Sequence, residues 1–157
     1  MIQTMVHSEP KTLESTMLVI TGDVLDPRTV TASLQLEPQQ VWRKGEKKNF
    51  RAADGRLREF ESIHEWSGWK HWLEEPFTNL DTCAQLKHWA QILEPHSRAL
   101  QILKQQGAAI VIDCFISTSE AVGVDIPSEL QAALGGLGID LELHFYVDQE
   151  RKGLNAV

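Results

Sequence analysis

Apolar and polar residues change rhythm several times along this chain, and each change marks an element. Thr16-Met-Leu-Val-Ile-Thr-Gly22 is a short β-branched run ended by glycine, the pattern of a buried strand. Asp26-Pro27 then offers an N-cap followed by proline at the first helical position, with Val30 and Leu34 four apart on one face. This helix is expected to end by about Leu36, because Glu37, which precedes Pro38, is pushed out of the α region. From Val41 the pattern is irregular until Asp54-Gly55, a strong hairpin-turn dipeptide. The second hairpin strand is expected to run on through Phe60, Ser62, His64 and Trp66, which share one face at period two.

Asp81 is placed to cap a helix whose stripe is Cys83, Leu86, Ala90 and Leu93, with Trp89 beside it. Glu94-Pro95 interrupts that helix. A continuation with Ala99, Leu100, Ile102 and Leu103 facing inward should stop at Gly107. Ala108 to Ile116 is the most apolar run and predicts a central strand. Pro127-Ser128-Glu129 opens a last helix carrying Leu130, Leu134 and Leu137 and ended by Gly138. In the closing strand Ile139, Leu141, Leu143, Phe145 and Val147 alternate with Asp140, Glu142, His144 and Tyr146.

The order strand, helix, hairpin, broken helix, strand, helix, strand predicts an α+β fold. Its sheet is expected to be mainly antiparallel with helices on one face, ferredoxin-like with an added hairpin and helix. Alternation in the last strand implies that the other sheet face is at least partly open. The expected organisation is a flexible arm over residues 1–15, one domain over 16–148 and a frayed tail over 149–157.

Charge changes this picture at one place. The segment Trp42 to Arg58 holds seven Lys or Arg against two acidic residues, a net of +5 in a chain of 157 residues whose net charge is −7. The rest of the molecule is therefore strongly acidic, which argues against nucleic acid as a partner, since such domains carry a net basic footprint. Trp and Arg are enriched at interface hot spots, and separated charge of opposite sign orients docking. Trp42, Arg43, Lys44, Lys47, Lys48, Trp66 and Trp69 are accordingly the candidate partner-binding residues. The plain alternative is a solvated hairpin whose cations pair with Glu59, Glu61 and Glu65. Of the tryptophans at spacing three, Trp66 is expected to end a strand, and Trp69 and Trp72 to pack a connecting loop over the core.

Other chemistry is sparse. Glu142, His144 and Tyr146, with Asp113 from the apolar strand before them, are candidates for an open-face catalytic or ligand site, since a carboxylate beside an imidazole can orient a general base. The bland reading is the solvent side of an amphipathic strand. No metal site is expected, because close pairs such as HxxxH or CxxC are missing, and no cofactor is implied, because P-loop and nucleophile-elbow patterns are absent. Gly135-Gly136-Leu-Gly138 ends a helix and so cannot be a dinucleotide turn. Cys83 and Cys114 read as small buried hydrophobes of a reducing compartment. Met1 to Ser15 lacks the apolar core of a signal peptide and no segment has the apolar length of a membrane span, so a cytoplasmic location is expected.

Several of these motifs together resemble a bacterial family, domain of unknown function 4279. The resemblance is carried by Val19-Ile-Thr-Gly22, Asp26-Pro27 with Val30-Thr31, Leu34-Gln-Leu36-Glu37-Pro38 and Trp42-Arg-Lys-Gly45-Glu46. It continues through the downstream Trp before a helical segment, the Leu100 to Gly107 region with its strand, and Leu137-Gly-Ile139-Asp-Leu141, covering about Met17 to Val147. These are turns, caps and core positions, so they speak to fold and hardly to chemistry. Where the family pattern has a compact hairpin after the Lys-Gly step, this chain has a longer basic insertion through Arg58. The functional expectation is a non-enzymatic, partner-binding domain, in its most concrete form an immunity protein that neutralises a toxin. The alternative is an enzyme or small-molecule-binding module on the open sheet face, a face that a homodimer would also cover.

Overall fold

The computed structural model describes residues 12–147. Residues 1–11 of the expected arm and the expected tail from 149 onward lie outside the described residues. Leu13 to Ser15, counted with the arm above, already belong to the first strand, β1 (Leu13–Gly22).

Helix α1 (Pro27–Leu34) begins as its sequence dictates, the Asp26 carboxylate accepting a hydrogen bond from the Arg28 backbone N–H at 3.0 Å. The chain then forms β2 (Gln40–Trp42), β3 (Lys47–Arg51), β4 (Leu57–Ile63) and β5 (Ser67–Trp72). Helix α2 (Thr82–Leu93) is capped by Asp81, which accepts from the Ala84 N–H at 2.8 Å. A 3₁₀ turn at Glu94–His96 separates it from α3 (Ser97–Gln105), and β6 (Ala109–Thr118), α4 (Ser128–Gly136) and β7 (Asp140–Val147) complete the chain.

Five strands form one sheet in the order β2-β5-β1-β6-β7, and β3 and β4 pair only with each other. Three of the four neighbouring pairs in the large sheet are antiparallel, so the fold is α+β with a mainly antiparallel sheet. The last pair, β6 and β7, is parallel. Helix α4 crosses over between these two strands, so the connectivity departs here from a ferredoxin-like sheet, in which all neighbours are antiparallel.

Burial alternates along β1 and β6 and identifies the two faces. Leu18 and Ile20 of β1, Trp69 of β5 and Ile110, Ile112 and Cys114 of β6 are buried in a single core with Val30, Leu34, Leu86, Trp89, Leu93, Leu100, Leu103, Leu130 and Leu134 from the helices. The helices thus cover one face. The stripe of α2 is centred on Gln85, Leu86 and Trp89, with Cys83 and Ala90 at its margin, and Ile102 of α3, expected inside, is exposed.

Polar groups on the covered face bond to one another. The Thr16 hydroxyl donates to Gln85 Oε1 at 2.8 Å and accepts from Trp89 Nε1–H at 2.7 Å. Gln85 Nε2 donates in turn to the carbonyls of Glu14 and Leu80. No buried side-chain nitrogen or oxygen among the described residues lacks a partner, as an interior of low dielectric requires.

Candidate functional site

Strand β5 governs the placement of the tryptophans. A connecting loop was expected at Trp69 and Trp72, but Ser67–Trp72 is a strand, paired with β1 on one side and β2 on the other. A spacing of three puts side chains on opposite faces of a strand. Trp69 therefore points into the core, fully buried, with Nε1–H donating to Thr31 Oγ1 at 3.0 Å. It is not available to a partner, which corrects its place among the candidate partner-binding residues. Trp72 lies on the open face and Trp66, 54 % exposed, just before the strand.

Trp42 remains at the surface but is held. Its β2 position is opposite Gly68, where any β-carbon would fall 1.9 Å from the indole. Glycine at 68 is thus what lets the ring lie flat on the open face. His64 stacks on that ring at 4.9 Å between centroids, and Lys70 Nζ stands 5.3 Å from it, a cation–π geometry. Ser67-Gly68, a pair unfavourable to regular helix, therefore marks a close packing contact.

From this base the β3–β4 ribbon projects. Gly45 N–H donates to the His64 carbonyl and His64 N–H to that of Glu46, closing the ribbon's foot. Every residue of β3 and β4 is exposed. Phe50 and Phe60 pack against each other at 5.0 Å, yet remain 43 % and 50 % exposed. Arg43 pairs with Asp26, Lys44 with Asp23 and Arg58 with Asp54. Among the described residues Lys47, Lys48, Arg51 and Arg56 make no ion pair, and the expected pairing with Glu59, Glu61 and Glu65 is not formed. Between α1 and β2, beside Trp42 and Arg43, lies an open cleft of about 490 Å³ floored by Pro27, Thr31, Pro38 and Val41.

A second cluster occupies the far side of the open face. In the β6–β7 register Asp113 lies opposite Glu142 and Phe115 opposite His144. His144 Nε2 is 3.7 Å from Asp113 Oδ1 and 3.6 Å from Glu142 Oε2, and its ring stacks on Phe115 at 4.9 Å. Burial pushes the Asp113 carboxyl above the usual carboxylate range, with repulsion from Glu142 adding and attraction to His144 and Lys70 opposing. Tyr146, grouped above with His144 and Glu142, lies one row further on against Phe115, with centroids 6.4 Å apart. The trio that converges is thus Asp113, Glu142 and His144. The sequence marked all three, but only the parallel register shows that Asp113 faces Glu142.

Cys114, on the covered face, is buried, and its thiol is pushed up to about 12 by desolvation. No helix among the described residues is long and apolar enough to cross a membrane. The family described as Domain of unknown function (DUF4279) matches residues 11–148, and the chain belongs to it. No curated protein and no solved structure matches.

Proposed function

We propose that this member of the DUF4279 family is a partner-binding domain whose ribbon, together with the cleft at its base, docks on the acidic surface of another protein. The observation that carries this reading is the ribbon itself: two strands exposed along their whole length. An isolated hairpin is marginally stable in water, and this one displays Phe50, Leu57, Phe60 and Ile63 at its surface beside four cations that make no ion pair among the described residues. Exposed aromatic and aliphatic side chains interleaved with cations have the composition of an interaction site. Trp42, Arg43, Lys44 and Trp66 at the foot, with Lys47 and Lys48 along the first strand, are the contact residues of this reading. The net negative charge of the remainder orients docking by repelling the same acidic surface. In its most concrete form the partner is a toxin and this chain its immunity protein, with the ribbon selecting among toxins.

The test compares the full chain with a Lys47→Glu, Lys48→Glu, Arg51→Glu variant in affinity capture at low and high salt. A partner retained by the parent chain, lost at high salt and lost by the variant while circular dichroism stays unchanged is the expected result. The same partner held equally by both chains makes the ribbon a solvated hairpin. Selective retention of nucleic acid by the parent chain also overturns the proposal.

A further inference from the structure

Row by row, the open face of the sheet places Trp72 beside Met17, Met17 beside Asp113 and Asp113 beside Glu142. His144 follows Glu142 by two residues and so points from the same face of β7. One imidazole and two carboxylates thereby offer three donor atoms within 4.8 Å of one another. Asp113 sits in the interior of the sheet with a side chain only 18 % exposed, whereas Glu142 is 60 % exposed. Two carboxylates held this close repel each other unless a cation lies between them. His144 alone can supply that charge only when protonated.

We propose that Asp113 Oδ1, Glu142 Oε2 and His144 Nε2 bind one divalent first-row transition-metal ion, of the Zn²⁺ or Mn²⁺ type, leaving at least one coordination position open. Tetrahedral bonds of about 2.0–2.1 Å place neighbouring ligand atoms about 3.3 Å apart. The observed 3.6 and 3.7 Å from Nε2 to the two carboxylate oxygens need shifts of only a few tenths of an ångström, and the third side, between carboxylates within 4.8 Å of each other, closes by rotation of the exposed Glu142 side chain. One nitrogen and two oxygens suit a borderline ion better than the all-oxygen cage that Ca²⁺ prefers. Stacking on Phe115 fixes the imidazole plane before the ion arrives, and the parallel register sets the two carboxylate-bearing residues side by side.

The surroundings supply a place for a further ligand. Met17 and Trp72, on the Asp113 row, line a hollow of about 290 Å³ together with Leu73, Phe115 and the polar side chains of Ser15, Thr16, Thr78 and Gln85. Phe115 thus borders the hollow and carries His144. An ion with an open position near such a hollow suits a small molecule with one anionic or carbonyl end. The ribbon contributes no ligand to this site. The site shows no HxxxH or CxxC spacing because two ligands are an i, i+2 pair on one strand and the third belongs to its neighbour.

The experiment is calorimetric titration of the full, chelator-treated chain with Zn²⁺ and, separately, Mn²⁺, with Mg²⁺ as control. One equivalent should bind and raise the thermal unfolding midpoint. His144→Ala and Glu142→Gln, both at exposed or half-exposed positions, should each weaken binding at least tenfold, since even indirect support of a metal ligand is worth about 10–100-fold. Circular dichroism of each variant establishes that the fold is intact. Absence of saturable one-to-one binding of either Zn²⁺ or Mn²⁺ overturns the proposal. So does undiminished binding in both variants, which would put the ion on other histidines.

Discussion

The two faces of the five-stranded sheet are made by alternate residues of the same strands, yet they use their polar groups in opposite ways. On the covered face Thr16, Gln85, Trp89 and Trp69 each bond to another fixed group. On the open face Lys70, Asp113, Glu142 and His144 are partly exposed, and their partners are a ring face or one another. A closed network specifies one packing and leaves nothing to offer another molecule. An open cluster contributes little to folding and keeps donors and charge available. The contrast separates what holds this protein together from what it can bind.

The strongest way to break that contrast is to exchange tryptophans three residues apart. Trp69→Ala removes a fully buried indole and leaves Thr31 without its donor. Large aromatic truncations in a core cost about 3–5 kcal/mol, and urea unfolding should show a loss of that size. Trp72→Ala, on the open face, should cost less than about 1 kcal/mol, as surface changes usually do. Equal losses at the two positions would mean that the faces are not energetically distinct.

What the sequence made legible follows the same division. Asp26 and Asp81 as caps and Asp54-Gly55 as a turn depend on neighbours in sequence and appear where expected, whereas the last strand forms but does not alternate in burial, since Leu143, Phe145 and Val147 stay exposed at the sheet edge. Strand β5 was hidden because Ser67-Gly68 looks like a breaker, and only the indole of Trp42, twenty-six positions earlier, explains the glycine. The parallel pairing of β7 with β6 was hidden as well, since alternation reports which residues share a face but not which strand lies alongside. Without that register Asp113 was one odd carboxylate in an apolar run. The family resemblance, carried by caps, turns and core positions, is matched over residues 11–148 but said little of the strand pairing or the open face.

Gly68 offers a sharper test, because it belongs to both halves of the contrast. In a strand Gly→Ala is ordinarily stabilising, by restricting the unfolded chain. Here the new methyl group would meet Trp42 Cζ2 at 1.9 Å. Gly68→Ala should therefore displace the indole, undo the His64 stack and cost about 1–3 kcal/mol, the usual range for overpacking. A red shift of tryptophan emission should accompany the loss. An unchanged spectrum with raised stability would show that Trp42 does not rest on the sheet.

The smallest expected effect concerns His64, the residue that ties the foot of the ribbon to the open face. Desolvation is the main cause that lowers its pKa below the ordinary 6.5, with Lys48 and Lys70 adding and Glu46 opposing. A depressed folded-state pKa means that the folded protein prefers the neutral ring. Its contribution is complete above the unfolded value and declines as pH falls, because the unfolded chain takes up the proton first. Stability should thus slope gently downward below about pH 6.5 until folded His64 is itself protonated. Histidine NMR titration should place its midpoint below the ordinary value, and Lys48→Ala should return it only part of the way, since burial against Trp42 remains. A midpoint at or above the ordinary value would mean that the ribbon's foot is as solvated as its tip, and the ribbon would then carry its charges without a fixed orientation to present them.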